Sequence, residues 1–213
     1  LEHPLYARLL TDLKAAAGNG AFTYGGRADD ANALFVSGKC ATFTGSSASR
    51  AEIAANGQFD FGIAPLPYYD DVAGAPQNSI IGGASLWVFN NKATETYQGV
   101  VQFFHYLAQP EMAAQWHQKT GYVPVVTAAY ALTQQAGFYA KTPGADVAVK
   151  QLDVTTTDQS RGIRLGSLNE IRDVEEGNFE NIFNGRMTVA EALADMQKRS
   201  NEILSRFEST VSK

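Results

Sequence analysis

Residues 80–89, IIGGASLWVF, are apolar on both sides of the chain once past the Gly82-Gly83 pair. A strand with no polar face has to be covered on both sides, and the usual covers are helices. This one decamer therefore predicts an α/β architecture. The rest of the chain supplies the helices. Pro4 suits a first turn, and Leu5, Leu9, Leu10 and Leu13 make one stripe over 3–17. Further helices are expected over 28–37, 46–55, 94–108, 110–120, 128–136, 144–152, 168–184 and 189–207. Gly121 is expected to stop the helix that Pro110 starts. Ser167 with Glu170, and Thr188 with Glu191, have the spacing of capping boxes. Shorter strands are expected over 40–43 and 59–66, with a loop over 70–75.

Composition narrows the function. The net charge of −5 argues against nucleic acid and against an anionic membrane surface, because both reward clustered Lys and Arg. Hydrophobic content of 45% and charge of 18% are those of a globular chain. No apolar run reaches the length of a membrane span. Cys40, the single cysteine, reads as a buried strand residue; the alternative is a disulfide to a partner upstream of Leu1. A start at Leu1 rather than Met fits a processed chain or an expression fragment.

The candidate functional groups sit at element ends and each carries two readings. Ser46, in FTGSSAS, can cap the following helix. The same helix start can also aim amides and a hydroxyl at an anion or polyol. The Gly82-Gly83 pair can mark a bulge, or it can let ligand oxygens reach the backbone. Tyr122 can pack over a helix end with its hydroxyl wet, or it can hydrogen-bond a ligand oxygen with its ring as a wall. Arg172 lies early in a helix, where a cation opposes the dipole. It can pair with Asp173, Glu175 or Glu176, or it can grip a phosphate. Trp87 and Trp116 read as core residues. His3, His105 and His117 show no ligand spacing and read as surface or packing residues. The acidic cluster around Glu175 reads as a solvated face. No nucleophile elbow, paired metal ligands or phosphate-cradling glycine loop is present.

The strings QNSIIGGASLWV and WHQKTGYVPV resemble the glycerol-3-phosphate-binding family of periplasmic solute receptors that serve ABC importers. The likeness continues through ALFVSGKCATFTGSSAS, FDFGIAPLPYYDD, GFYAKTPGADVAVKQL, RGIRLGSLNEIR and ALADMQKRSNEILSRFE. It implies a type II periplasmic-binding-protein-like fold, with this chain as the C-terminal part of a two-lobe receptor. Residues 1–79 and 127–213 would belong to an incomplete C-terminal lobe. Residues 80–126 would be a strand-helix-helix segment of the N-terminal lobe. The resemblance makes Ser46 and Gly83 ligand contacts and Arg172 the phosphate-binding cation; Tyr122, read from its ring and hydroxyl, is the fourth expected contact. Arg161 and Arg164 are weaker candidates for that charge.

The implied function is capture of sn-glycerol-3-phosphate, and of glycerophosphodiesters, for a membrane permease. It requires no cofactor or metal and involves no catalysis. The competing readings are a sugar or oligosaccharide receptor of the same fold and, behind it, a phosphodiesterase or glycosidase. Half a cleft is expected to bind weakly, because each hydrogen bond to a charged group is worth about 1.5–3 kcal/mol. Unpaired edges in such a fragment invite dimerisation.

Overall fold

The computed structural model describes residues 1–154, 156–158 and 160–211. Two compact units emerge: Leu1–Leu34 with Ile163–Lys213 form unit 1, and Phe35–Gly162 form unit 2.

Unit 1 is built from α1 (Pro4–Gly18), α9 (Leu168–Phe183) and α10 (Val189–Val211), which pack against one another. Each arises from a periodic apolar stripe with local start and stop signals. Pro4 opens α1, and His3 Nδ1 accepts the Leu5 amide at 3.2 Å. Thr188 and Glu191 close a reciprocal capping box at the start of α10, with the Thr188 amide donating to Glu191 at 2.8 Å. The shared core holds Leu10, Ile171, Val174, Ile182, Met196 and Ile203, all buried. Arg27 grips Glu180 through two parallel bonds of 2.6 and 2.9 Å, which ties the stretch after α1 to α9.

The second capping box does not form. Ser167 has φ +51° and its side chain makes no cap bond, while Glu170 pairs instead with Arg206 of α10 at 2.9 Å. A partner 36 residues away thus outcompetes the local one.

Unit 2 carries α3 (Ser49–Asn56), α4 (Thr94–Leu107), α5 (Pro110–Thr120), α6 (Thr127–Gln135), α7 (Phe138–Lys141) and α8 (Val147–Leu152). A short α2 (Asn32–Val36) spans the boundary between the units. The 28–37 helix expected there is shorter: Ala28 adopts φ +45° and the helix begins only at Asn32. Gly121, at φ +82°, ends α5 as the glycine signal predicts. α5 and α6 approach closely through Ala113, Ala114 and Ala129.

The three predicted strands are corrected. Among the described residues none of 40–43, 59–66 or 80–89 forms a ladder. A strand exists only through hydrogen bonds to a neighbour in register, and these segments have none. Nor is the 80–89 decamer covered: Ile81 is 67%, Trp87 89% and Phe89 80% exposed. Trp87 is therefore not a core residue here, and Cys40 is a free, half-buried thiol outside any strand. No helix among the described residues is long and apolar enough to cross a membrane.

Candidate functional site

Three of the four predicted contacts meet in unit 2. Ser46, Gly83 and Tyr122 line one cavity of about 1090 Å³. That volume lies slightly above the usual range of small-molecule sites, which run to about 1,000 Å³.

The exit loop of α5 brings them together. Gly121 lies so close to the 46–48 turn that an added Cβ would collide with the Ser47 carbonyl oxygen. Its left-handed φ also favours glycine. Next in sequence, Tyr122 is held on both sides of its backbone. Its amide donates to Thr120 Oγ1 at 3.2 Å, and its carbonyl accepts from His117 Nδ1. Its ring faces Gly83, where an added Cβ would stand 3.4 Å from Cε1. Gly83 itself has φ +111°, a conformation that a side chain at this position would strain.

Ser46 is exposed, and its hydroxyl oxygen accepts the Ala48 amide at 3.2 Å. The helix it was expected to start begins three residues later, at Ser49. The serine therefore shapes the turn before α3 rather than capping the helix. Arg50 of α3 donates to the Gln118 carbonyl of α5 at 2.8 Å, fixing this turn against the exit loop. On another wall, Gln151 of α8 receives the Ser79 amide at 3.1 Å and donates its own amide to Ser79 Oγ at 2.9 Å. Gln151 also accepts the Leu66 amide at 3.4 Å. These bonds hold the irregular segments around 66 and 79–83 in place without a sheet.

Arg172 lies on α9 in unit 1, with its side chain exposed. Among the described residues it forms no ion pair with Asp173, Glu175 or Glu176. Burial pushes the Glu175 carboxyl up, and Arg172 pulls it part of the way back. Arg161 pairs with Asp158 at 3.4 Å.

Sequence reasoning left His117 as a surface or packing residue, and the structure buries it. It is 2% exposed, between Tyr122 and Tyr139. Its spacing of three and four residues from Ala114 and Ala113 was the available signal, since all three share the buried face of α5. Trp116, expected in the core beside Met112, stands off that face and is 61% exposed.

Residues 5–147 match the model of the bacterial extracellular solute-binding protein family. The chain belongs to this family. It is 47% identical over 96% of its length to the sn-glycerol-3-phosphate-binding periplasmic protein UgpB of Yersinia enterocolitica, covering 46% of that protein. The same identity holds over 95% of the chain with UgpB of Pectobacterium atrosepticum, covering 45% of it. Among solved structures, that of UgpB from Mycobacterium tuberculosis in complex with glycerophosphocholine superposes with a TM-score of 0.77 at 28% identity. That match covers 96% of this chain and 50% of the other. The chain thus spans about half the length of these relatives and matches their C-terminal half. Its fold is periplasmic-binding-protein-like.

Proposed function

We propose that this chain is the C-terminal half of the substrate-binding component of an ABC importer, and that the whole receptor captures sn-glycerol-3-phosphate and glycerophosphodiesters in the periplasm. The observation that carries this reading is the convergence of Ser46, Gly83 and Tyr122 on one cavity. A hydroxyl, a backbone approach without a side chain and an aromatic wall suit a polyol with a charged end. The names of the relatives supply the chemical class. In this reading Arg172 supplies the cation that binds the phosphate, in a bidentate, charge-assisted grip. The ligand is held and released without a bond being made or broken, and the loaded receptor delivers it to the membrane permease.

The lobe assignment follows the same reading. Residues 1–79 and 127–213 go to the C-terminal lobe and 80–126 to the N-terminal one. In support, α4 buries none of its residues, and Val101 and Phe103 on it are 66% and 51% exposed. An amphipathic helix without cover fits a segment whose packing partners lie elsewhere in a longer chain. The same uncovered surface makes self-association of the isolated 213-residue chain an expected outcome.

The test is calorimetric titration of the full-length receptor carrying this sequence with glycerol-3-phosphate and glycerophosphocholine. Arg172→Gln is expected to weaken capture by roughly 10- to 100-fold, the worth of a hydrogen-bonded charge. Undiminished binding by that variant, or phosphodiester cleavage during the titration, would overturn the proposal.

A further inference from the structure

The buried imidazole of His117 has a tautomer that its partners dictate. The Tyr122 carbonyl oxygen can only accept, so the shared proton sits on Nδ1. A neutral ring then has Nε2 free to accept, and the Tyr139 hydroxyl donates to it at 2.9 Å. One side chain therefore links the exit loop of α5 to α7. Phe138 packs edge-on against the same ring, with centroids 6.0 Å apart.

The surroundings favour the uncharged form. Arg50 reaches in from α3 and stands 5.6 Å over the Phe138 ring. Tyr139 faces the imidazole from α7, with Tyr130 of α6 tilted against it at 5.3 Å. Asp146, before α8, acts on the Tyr139 hydroxyl, and Tyr122 offers only its carbonyl. Burial holds the imidazole below the ordinary histidine value, the Tyr122 bond partly opposes this, and Arg50 lowers it further. Protonation would turn Nε2 from acceptor to donor, reversing its bond with the Tyr139 hydroxyl and leaving that hydroxyl's own proton without its acceptor.

We infer that neutral His117 is a positioning residue for ligand capture: its Nδ1–H fixes the Tyr122 backbone so that the ring stands against Gly83 at the cavity wall. The role rests on the receptor reading above, and it adds a pH limit to capture. Nδ1 keeps its proton in either form, so the limit comes from the Tyr139 side: binding is strongest while Nε2 accepts the hydroxyl and weakens as pH falls below the free-histidine value of about 6.5. Glycerophosphocholine is the probe, because its phosphodiester keeps its charge over that range while a phosphomonoester does not.

Two amides separate the ring's roles. His117→Asn keeps a donor near the Nδ1 position, and His117→Gln places its amide nearer Nε2. In the full-length receptor, H117N is expected to bind within about threefold of wild type. H117Q and H117A should bind about tenfold more weakly or worse, the usual scale for a carbonyl left buried without a donor. Y139F should keep neutral-pH affinity but move the acid limb. Equal affinity in wild type, H117Q and H117A would overturn the inference, as would an acid limb unchanged in both H117N and Y139F. If H117A does not fold, the H117N and H117Q pair decides. If wild type itself captures no probe, the receptor reading has failed. Nitrogen-15 NMR of this chain then decides the network: a neutral ring protonated at Nδ1 supports it, and one protonated at Nε2 overturns it.

Discussion

Unit 1 and unit 2 solve the burial problem differently. In unit 1, three long amphipathic helices face one another, and Ile182 and Met196 are sealed completely. In unit 2, the largest buried apolar side chain among the described residues is Ile53, and the close helix pair meets through alanines. Its two tryptophans, Trp87 and Trp116, are exposed, and so is Phe89. A helix closes its backbone hydrogen bonds within itself and needs only one covered face, so unit 1 is complete in three pieces of chain. A two-faced apolar segment needs neighbours on several sides, and unit 2 does not supply them for residues 80–89.

The largest expected effect separates the two units directly. Met196→Ala should cost about 2–5 kcal/mol in urea unfolding, because it opens a cavity in a closed core. Phe89→Ala in the same chain should change stability by no more than about 0.5 kcal/mol. A comparable loss from the phenylalanine would show that the 80–89 face is covered in solution, and the contrast between units would fall.

A smaller effect tests the helix starts within unit 1. Thr188→Ala should cost about 1 kcal/mol, since it removes one half of a formed capping box. Ser167→Ala should leave the unfolding midpoint nearly unchanged, because that hydroxyl caps nothing. Equal losses would mean that the two helix starts are alike after all.

The smallest effect appears at alkaline pH and is shared by the units. Burial raises Tyr6 in unit 1 and Tyr139 in unit 2 to about 12. The folded protein holds those protons more tightly than the unfolded chain does. Their contribution is therefore complete below about pH 10 and fades as pH climbs toward 12. Tyr6→Phe should flatten that decline for the unit 1 transition and Tyr139→Phe for the unit 2 transition, as followed by thermal melts across this range. A decline unaltered by either change would place its origin elsewhere.

Local signals were read well from the sequence. The span of α5, from Pro110 to the stop at Gly121, follows from two residues whose backbone preferences are intrinsic. The Thr188 box likewise needs only its neighbours. What failed was non-local. Glu170 left its predicted role for Arg206, and the strands lacked ladders because periodicity records a wish for burial without naming the partner. The same limit hid His117, whose meaning depends on Tyr139 in the unanticipated α7. The meeting of Ser46, Gly83 and Tyr122 was not legible in spacing; the resemblance named Ser46 and Gly83, the ring and hydroxyl named Tyr122, and the structure brings them to one cavity. Arg172 lies in the other unit, and its part in capture is left to the titration of the R172Q receptor.

The packing of α1 against α9 and α10 imposes an order on synthesis. Ile171 is made roughly 160 residues after Leu10, its partner in the same core. At about 5–20 residues per second that is a wait of roughly ten to thirty seconds. Throughout that interval the apolar stripe of α1 waits for the α9 and α10 residues on which it packs. A nascent unit 1 with such a delay stays pliable until α9 and α10 have been made, a useful property for any polypeptide that has to be threaded before it folds.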